Sequence, residues 1–336
     1  MPGSLSTTWA APTGPVGSPV LWATSLAVLL ALLTADFLLT RRPHTVQLPE
    51  AVGWSVFYLA LPGVFGLFLW GVHGGAPALE FATGFVVEKS LSVDNLFVFV
   101  LLLGAFAVPA ELAQRVLLFG IVGALALRGV LIGLGAALVQ AGTWAFLVFG
   151  AILFGTAAKL LRELLAKVDR EPDVSTMRSV RLLRRLVPVT DGYRGSRLVV
   201  REQGRRALTP LSVVVVAVLA TDVVFAVDSV PAVYGVTEDP YLVFATNAFA
   251  LLGLRALYFV LSSVLGRLRY LNHGLVVILA LIGVKLVLHW AHGVWPAVPE
   301  IPTPASLGLI VLILTVVTVA SLRAAGRPSD ELPTEG

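Results

Sequence analysis

Long apolar stretches constrain the fold of this chain more than any other feature of its sequence. A helix needs about 20 mostly apolar residues to cross a bilayer. Several stretches reach that length, from Val20–Thr40 to Ala305–Leu322. Only 13% of the 336 residues are charged, whereas roughly a quarter are charged in an ordinary soluble domain. The sequence therefore predicts an all-α, polytopic integral membrane protein.

A scan for apolar runs predicts nine transmembrane helices, each bounded to within a few residues. They are Val20–Thr40, Ala51–Gly71, Leu79–Leu103, Gln114–Val139, Thr143–Leu164, Leu208–Val236, Tyr241–Val264, Gly274–Trp290 and Ala305–Leu322.

The basic residues predict the orientation of these spans. Twenty of the 24 Lys and Arg residues lie at span ends or in loops, and thirteen of those twenty are between Lys159 and Arg206. All twenty fall on one side of the membrane, and the loops on the other side carry only acidic charge, at Glu80, Glu238, Asp239 and Glu300. Because basic loops stay cytoplasmic, we expect the N-terminus outside and the C-terminus cytoplasmic.

The same scan predicts how the chain is organised. We expect a disordered extracytoplasmic lead-in (1–19), two N-terminal transmembrane helices (20–78), a first three-helix repeat (79–165), a basic cytoplasmic loop (166–207), a second three-helix repeat (208–290), a loop with the last transmembrane helix (291–322) and a cytoplasmic tail (323–336). The basic loop is interpreted as a topology anchor near anionic headgroups, because it carries no nucleic-acid-binding motif.

Two spans share an unusual pattern of charge. The third contains Glu-Lys-Ser-Leu-Ser-Val-Asp-Asn at 88–95, and the sixth contains Asp-Val-Val-Phe-Ala-Val-Asp-Ser at 222–229. Each reads as an acid, five residues, a second acid and a small polar residue, and each is followed in the next span by one arginine, Arg128 or Arg255. Charge at membrane depth costs about 2.5–3.5 kcal/mol per residue and usually marks a functional site. The 134-residue offset predicts that spans three to five repeat as spans six to eight.

The predicted topology places the two repeats in opposite orientations. Inverted three-helix repeats are typical of secondary transporters, whose substrate site lies near the midplane between the repeats. The interior of the spans offers carboxylates, Asn95, Asn247, Ser229, Thr221 and backbone carbonyls, but no cysteine. Hard oxygen ligands favour Mn²⁺, Mg²⁺ or Ca²⁺ over Cu(I) or Zn²⁺.

Helix geometry limits how these carboxylates could converge. Side chains six residues apart on a straight helix point about 120° away from each other, so both acids of a span face one cavity only if the helix is interrupted or several helices surround the cavity. Pro231 leaves the carbonyl of Val227 without its helical hydrogen bond. We therefore expect an interruption of span six close to Asp228.

An alternative role for the buried charges is purely structural. Glu88 could pair with Lys89, Arg128 or Arg255 in an ion-pair network that fixes the helix register. In the preferred interpretation Arg128, Arg255 and Lys285 stabilise the fold or the empty site while the acids bind a cation. Asn247 fits an interhelical hydrogen bond or a ligand.

Four segments resemble the TerC family of integral membrane proteins. They are Phe81–Phe99, Thr221–Ala232, Asn247–Phe259 and Ile282–Lys285, and the likeness extends over roughly residues 20–290. The resemblance implies an inner-membrane protein linked to tellurite resistance and Mn²⁺ efflux, and related to LysE-type exporters. It implies a metal site at Glu88, Asp94, Asn95, Asp222, Asp228 and Ser229. From the residues themselves we assign supporting roles to Lys89, Asn247, Arg128, Arg255, Lys285 and Pro231. Many members of the family have a glutamate where this chain has Leu219, so its acidic site is expected to be smaller.

These observations favour a transporter that exports a divalent cation, with Mn²⁺ as the transported ion, no permanently bound cofactor and exchange for protons. The alternative is a non-transporting membrane partner in a tellurite or metal-stress resistance complex. Enzymatic activity is not expected, because the chain lacks the Gly-x-Gly-Asp motif of intramembrane aspartyl hydrolases. Export of an organic cation would require a larger, more aromatic cavity. Beyond the metal ion and the lipid bilayer, no protein or nucleic-acid partner is predicted.

Overall fold

A computed structural model of the chain describes residues 16–39, 48–166, 188–190, 192–202, 205–254, 257–258 and 270–325. Within these ranges the chain forms nine helices and one antiparallel hairpin. They are α1 (Pro19–Leu39), α2 (Leu48–His73), α3 (Gly75–Ala105), α4 (Ala110–Ala141), α5 (Trp144–Leu165), β1 (Val199–Glu202), β2 (Arg205–Leu208), α6 (Pro210–Tyr234), α7 (Pro240–Leu252), α8 (Leu271–Val294) and α9 (Thr303–Ala325).

Each of the nine predicted spans overlaps one of these helices, which confirms an all-α polytopic membrane protein. Seven helices in the described ranges are long and apolar enough to cross a membrane. The other two are α3 and α7. Every 18-residue stretch of α3 contains at least three charged residues, and the 13 residues of α7 extend only about 20 Å. Nine membrane crossings therefore remain a prediction.

The loop before α6 contains structure that the all-α prediction missed. Residues Val199–Glu202 pair with Arg205–Leu208, and Val199 lies opposite Leu208. The predicted start of span six at Leu208 is two residues early, within the stated margin, because that residue belongs to β2 and the helix begins at Pro210. Proline is favoured in the first turn of a helix, where its missing N–H costs nothing. Most of the predicted basic loop, including 167–187, lies outside the described residues.

The expected interruption of span six is also absent. Helix α6 continues through Pro231 to Tyr234, so losing one hydrogen bond to proline does not break it. Instead α7 ends at Leu252, and the chain is helical again at Leu254. The amide of Leu257 donates to the carbonyl of Gly253 at 3.1 Å. The interruption therefore lies in the predicted span Tyr241–Val264, whose last residues are outside the described ranges.

Four helices form the centre of the bundle. The extensive contacts of α3 are with α7, α2 and α6, while α4 packs on α6 and α7. The tightest pairing beside this centre is between α5 and α8. Helices α1, α2 and α9 are peripheral and expose large apolar side chains, such as Val64 and Trp70 on α2 and Leu312 on α9. Such a surface suits lipid rather than water.

Side-chain contacts give the relative directions of the central helices. The Thr237 hydroxyl, just after α6, donates to Glu80 Oε2 at the start of α3 at 2.6 Å. At the other end the Tyr193 hydroxyl, in the segment before the hairpin, donates to the carbonyl of Phe106 just after α3 at 2.8 Å. Helices α3 and α6 are therefore antiparallel. We call the end with Glu80, Glu238, Asp239 and Glu300 the acidic end, and the end with the hairpin the basic end.

Candidate functional site

Arg128 of α4 is the centre of a buried polar cluster that joins four helices. Its Nη1 donates to Glu88 Oε1 of α3 and, at 2.8 Å, to Asn247 Oδ1 of α7. Its Nη2 and Nε donate to the two oxygens of Asp222 on α6, at 3.1 and 3.4 Å. All four side chains are at most 2% exposed. The structure thus brings together four residues that the sequence analysis had singled out.

Two glycines allow α4 to approach α6 closely beside this cluster. A Cβ atom on Gly120 would lie 2.8 Å from Val218 Cγ1, and one on Gly123 would lie 2.3 Å from Leu219 Cδ2. Contacts this short are excluded for any larger residue unless the neighbouring side chain moves. The close approach brings the α4 guanidinium within reach of the Asp222 carboxylate. It also shows that Leu219 packs against α4.

The buried face of α3 carries polar oxygens at helical spacing. Glu88, Ser92 and Asn95 are four and three residues apart, so they share one side of the helix. Their exposed fractions are 0%, 1% and 4%. On α6, Asp222 and Ser229 are seven residues apart and likewise share a side, with 2% and 1% exposure. The site therefore consists of two polar faces on two antiparallel helices that pack together.

Three oxygens on these faces have no hydrogen-bond donor within the described part of the chain. They are Glu88 Oε2, Ser92 Oγ and Ser229 Oγ, and each atom is buried. Buried polar atoms in native proteins nearly always have a partner, and an exception commonly marks a bound ion or water. Hydroxyl and carboxylate oxygens are ligands that hard divalent cations prefer. The donor set therefore fits a divalent cation.

The second acid of the motif on α6, Asp228, lies on a different side of the helix from Asp222, as the six-residue spacing predicts. Asp228 is only half-buried, in contrast to Asp222. The backbone of Asp94 belongs to α3, but its side chain lies outside the described part of the structure, and Arg255 lies outside the described residues altogether. Among described residues, no group of three or more His, Asp or Glu side chains has the geometry of a metal centre.

Lys89 is directed at the point where α7 ends. Its Nζ donates to the carbonyl of Ala250 at 3.1 Å, and a Cβ atom on Gly253 would lie 3.3 Å from the same Nζ. The last carbonyls of a helix lack intrahelical donors and carry partial negative charge. The ammonium group of Lys89 thus stabilises a helix end at membrane depth.

Lys285 does not join the buried cluster, although the sequence analysis grouped it there. It lines a cavity of about 570 Å³ at the acidic end. The cavity also contains the carboxylates of Glu80, Glu238, Asp239 and Glu300, together with His289. Four carboxylates thus face one lysine and one histidine, so the cavity carries net negative charge even when the histidine is protonated.

His289 ties two loops across this cavity. Its Nε2 lies 3.0 Å from Glu238 Oε1, and its Nδ1 lies 2.8 Å from Glu300 Oε1. Both contacts require an N–H, so the protonated imidazolium satisfies them together. The hydrogen bond from His289 holds the pKa of Glu238 below its usual value, against the opposing effect of burial. This ion pair therefore stabilises the charged form of a loop carboxylate.

Sequence reasoning missed the buried position of Ser92 beside Glu88 and the convergence of the acidic-end residues. The i, i+4, i+7 spacing of Glu88, Ser92 and Asn95 could have revealed the polar face of α3. No sequence signal linked Glu80 to Thr237, because 157 positions separate these residues along the chain.

Comparison with known proteins places this architecture among bacterial membrane proteins. The family model described as "Integral membrane protein TerC family" matches residues 73–329. An "Uncharacterized membrane protein STKORF319" of Myxococcus xanthus is 39% identical over 308 residues, which cover 91% of this chain and 93% of that protein. The "Putative membrane-bound redox modulator Alx" of Escherichia coli strain K12 is 38% identical, covering 90% and 94%. A Mycobacterium tuberculosis membrane protein, MT2795, is 38% identical, covering 94% and 82%. No solved structure matches the chain.

Proposed function

The chain belongs to the TerC family of integral membrane proteins, and we propose that it exports a divalent cation, Mn²⁺ above others, through the buried cluster around Arg128. The observation that carries this proposal is the set of three buried oxygens without donors, Glu88 Oε2, Ser92 Oγ and Ser229 Oγ. A cation that binds oxygen would supply the partner that such buried oxygens lack. Such ligands suit Mn²⁺, Mg²⁺ and Ca²⁺ better than softer metals.

Arg128 has a defined part in this proposal. Two carboxylates and one guanidinium leave one formal negative charge on the three side chains, all of them buried. A buried charge without a counter-charge is strongly destabilising, so the arginine holds Glu88 and Asp222 together while no cation is bound. A divalent cation would compete with Arg128 for the same carboxylates. Asp94, Asn95 and Asp228 are proposed as further ligands along the path.

The helix packing supports the inverted repeat. Helices α3 and α7 run parallel, since Gly84 lies beside Thr246 and Lys89 beside Ala250. Helices α6 and α4 also run parallel, as the Arg128–Asp222 ion pair and the contacts of the two α4 glycines indicate. If α3 is exchanged with α6, and α4 with α7, the parallel pair α3–α7 therefore becomes the parallel pair α6–α4. The first helices of the two repeats, α3 and α6, are antiparallel. We propose that the site lies between two inverted three-helix repeats, as in secondary transporters.

The distribution of charge supports the direction of transport. The basic end carries exposed arginines at Arg194, Arg197, Arg201 and Arg206, and basic loops remain on the cytoplasmic side. We therefore propose that the basic end is cytoplasmic and the acidic end extracytoplasmic, with the N-terminus outside and the C-terminus inside. Export then runs from the basic end to the acidic end, in exchange for protons carried by the carboxylates.

Several relatives are named as redox modulators. This chain has no cysteine, so thiol–disulfide exchange within it is impossible. An effect of this chain on cellular redox state would instead follow from the metal content of the cell, because Mn²⁺ is redox-active.

Ser92→Ala separates a cation site from a structural ion pair. The Ser92 hydroxyl has no donor and carries no charge, so its removal is neutral or stabilising if the cluster only holds helices together. If the hydroxyl is a ligand, export should fall while the protein level stays unchanged. The measurement is cellular Mn and growth on added Mn²⁺ in a deletion strain complemented with wild type, Ser92→Ala or the surface control Glu163→Gln. Equal Mn content with wild type and Ser92→Ala would remove the main support for the site.

A further inference from the structure

Two buried aromatic side chains, Phe146 and Tyr234, line the cavity at the acidic end. Tyr234 lines the cavity and is 1% exposed. Its ring stacks on Phe149 of α5 with centroids 5.6 Å apart, and its hydroxyl donates to the carbonyl of Ile132 on α4 at 2.7 Å. Three helices therefore hold this ring in place.

Tyr234 lies between the cavity and the buried cluster. Ile132, which accepts its hydrogen bond, is four residues after Arg128 on α4, or about 6 Å along the helix axis. On α3 the cavity residue Glu80 is eight residues before Glu88, or about 12 Å. The floor of the cavity is thus one to two helical turns from the proposed cation site.

On the opposite side of the cluster, the described residues of α6 are mainly apolar. Between the cluster and the basic end, α6 buries Leu211, Val213, Val214, Ala217 and Val218 in a continuous apolar core with α3 and α4. Buried apolar side chains therefore separate the cluster from the basic end, whereas a polar cavity approaches it from the acidic end.

We infer that the acidic cavity is the outer vestibule of the transport path for a hydrated divalent cation, and that Tyr234 is the gate between the vestibule and the buried site. The net negative charge of the cavity raises the local concentration of cations. Rotation of one ring away from Ile132 and Phe149 would join the two compartments. This inference rests on the proposed function, but its test does not require transport.

Gly135 offers a way to displace the gate without removing it. A Cβ atom at this position would lie 2.6 Å from Tyr234 Cε2, so Gly135→Ala forces the ring to move. Gly133, two residues earlier on the same helix, has no atom within 4 Å of the equivalent position. Gly133→Ala is therefore a matched control with the same chemical change.

The absence of cysteine makes thiol labelling a direct test. Ser229→Cys and, separately, Asn247→Cys report on the buried site, and Glu238→Cys reports on the vestibule. A membrane-impermeant maleimide is added outside intact cells. Glu238→Cys should react rapidly, whereas the two buried cysteines should react slowly. Tyr234→Phe, which keeps the ring but loses the hydrogen bond, should speed labelling of the buried cysteines about tenfold, equivalent to ~1.4 kcal/mol.

Gly135→Ala should speed this labelling at least as much, and Gly133→Ala should leave it unchanged. The inference is overturned if the buried cysteines already react as fast as Glu238→Cys, if neither gate variant speeds their labelling, or if Glu238→Cys is protected from outside. A vestibule and gate with this behaviour in a protein that moves no Mn²⁺ would refute the proposed function alone.

Discussion

Replacement of Arg128 by glutamine tests the electrostatic logic of the buried cluster. Arg128 makes four hydrogen bonds, three of them to the carboxylates of Glu88 and Asp222. Its loss leaves two buried carboxylates facing each other, and uncompensated buried charge costs roughly 3–5 kcal/mol. We therefore expect a large drop in the melting temperature of the purified protein in detergent. Arg323→Gln, on an exposed turn of α9, should melt like wild type.

A second substitution distinguishes charge from packing. Arg128→Gln with Asp222→Asn has one buried carboxylate instead of two, so it should recover much of the lost stability. The single variant should also be rescued by Mn²⁺, because the cation replaces the missing guanidinium. A ligand that binds only the folded state at 100 times its Kd stabilises it by about 2.7 kcal/mol. The double variant should gain less from Mn²⁺.

The reasoning fails if Arg128→Gln melts like wild type, since the carboxylates would then not depend on the arginine. It also fails if Mn²⁺ stabilises the single and double variants equally, because the cation would then bind away from Asp222.

Three further changes have defined outcomes. Asp94→Asn or Asp228→Asn should abolish Mn²⁺ export in cells without lowering the protein level in the membrane, because each removes the charge that offsets dehydration of the ion. Gly123→Val should destabilise the protein in thermal melting by about 1–3 kcal/mol through overpacking against α6, whereas Gly133→Ala should have little effect. The lowered pKa of Glu238 means that its charged form stabilises the fold above the usual carboxyl value of 4.5, and this contribution is lost as the pH falls through the lowered pKa. Melting temperatures of wild type and Glu238→Gln should therefore differ near neutral pH and converge in strong acid.

The sequence predicted the helices well because hydropathy and length report directly on the surrounding solvent. It also indicated the right central partners, since buried charge at Glu88 and Asp222 needs a counter-charge and Arg128 is one of four basic residues away from the cytoplasmic ends of the predicted spans. Of the two interpretations left open, the ion pair is present in the structure, because Arg128 pairs with both acids. The cation site stays a prediction.

The errors have physical causes. Proline signals a lost hydrogen bond but not whether the helix tolerates the loss, so the break was predicted at Pro231 rather than after Leu252. The hairpin was missed because four-residue strands in an arginine-rich loop carry little hydrophobic pattern. Tyr234 and the acidic cavity depend on contacts between segments that are far apart along the chain. A single sequence does not specify which of its distant segments come into contact.

Flux through liposomes tests the central claim most directly. Purified wild-type protein, reconstituted alone with a Mn²⁺-sensitive dye inside the vesicles, should admit Mn²⁺ at a saturable rate when a proton gradient is imposed, and Ser229→Ala should reduce that rate. Flux no greater than in protein-free vesicles, from protein that melts as a folded species, would contradict the account and favour a non-transporting partner in a resistance complex.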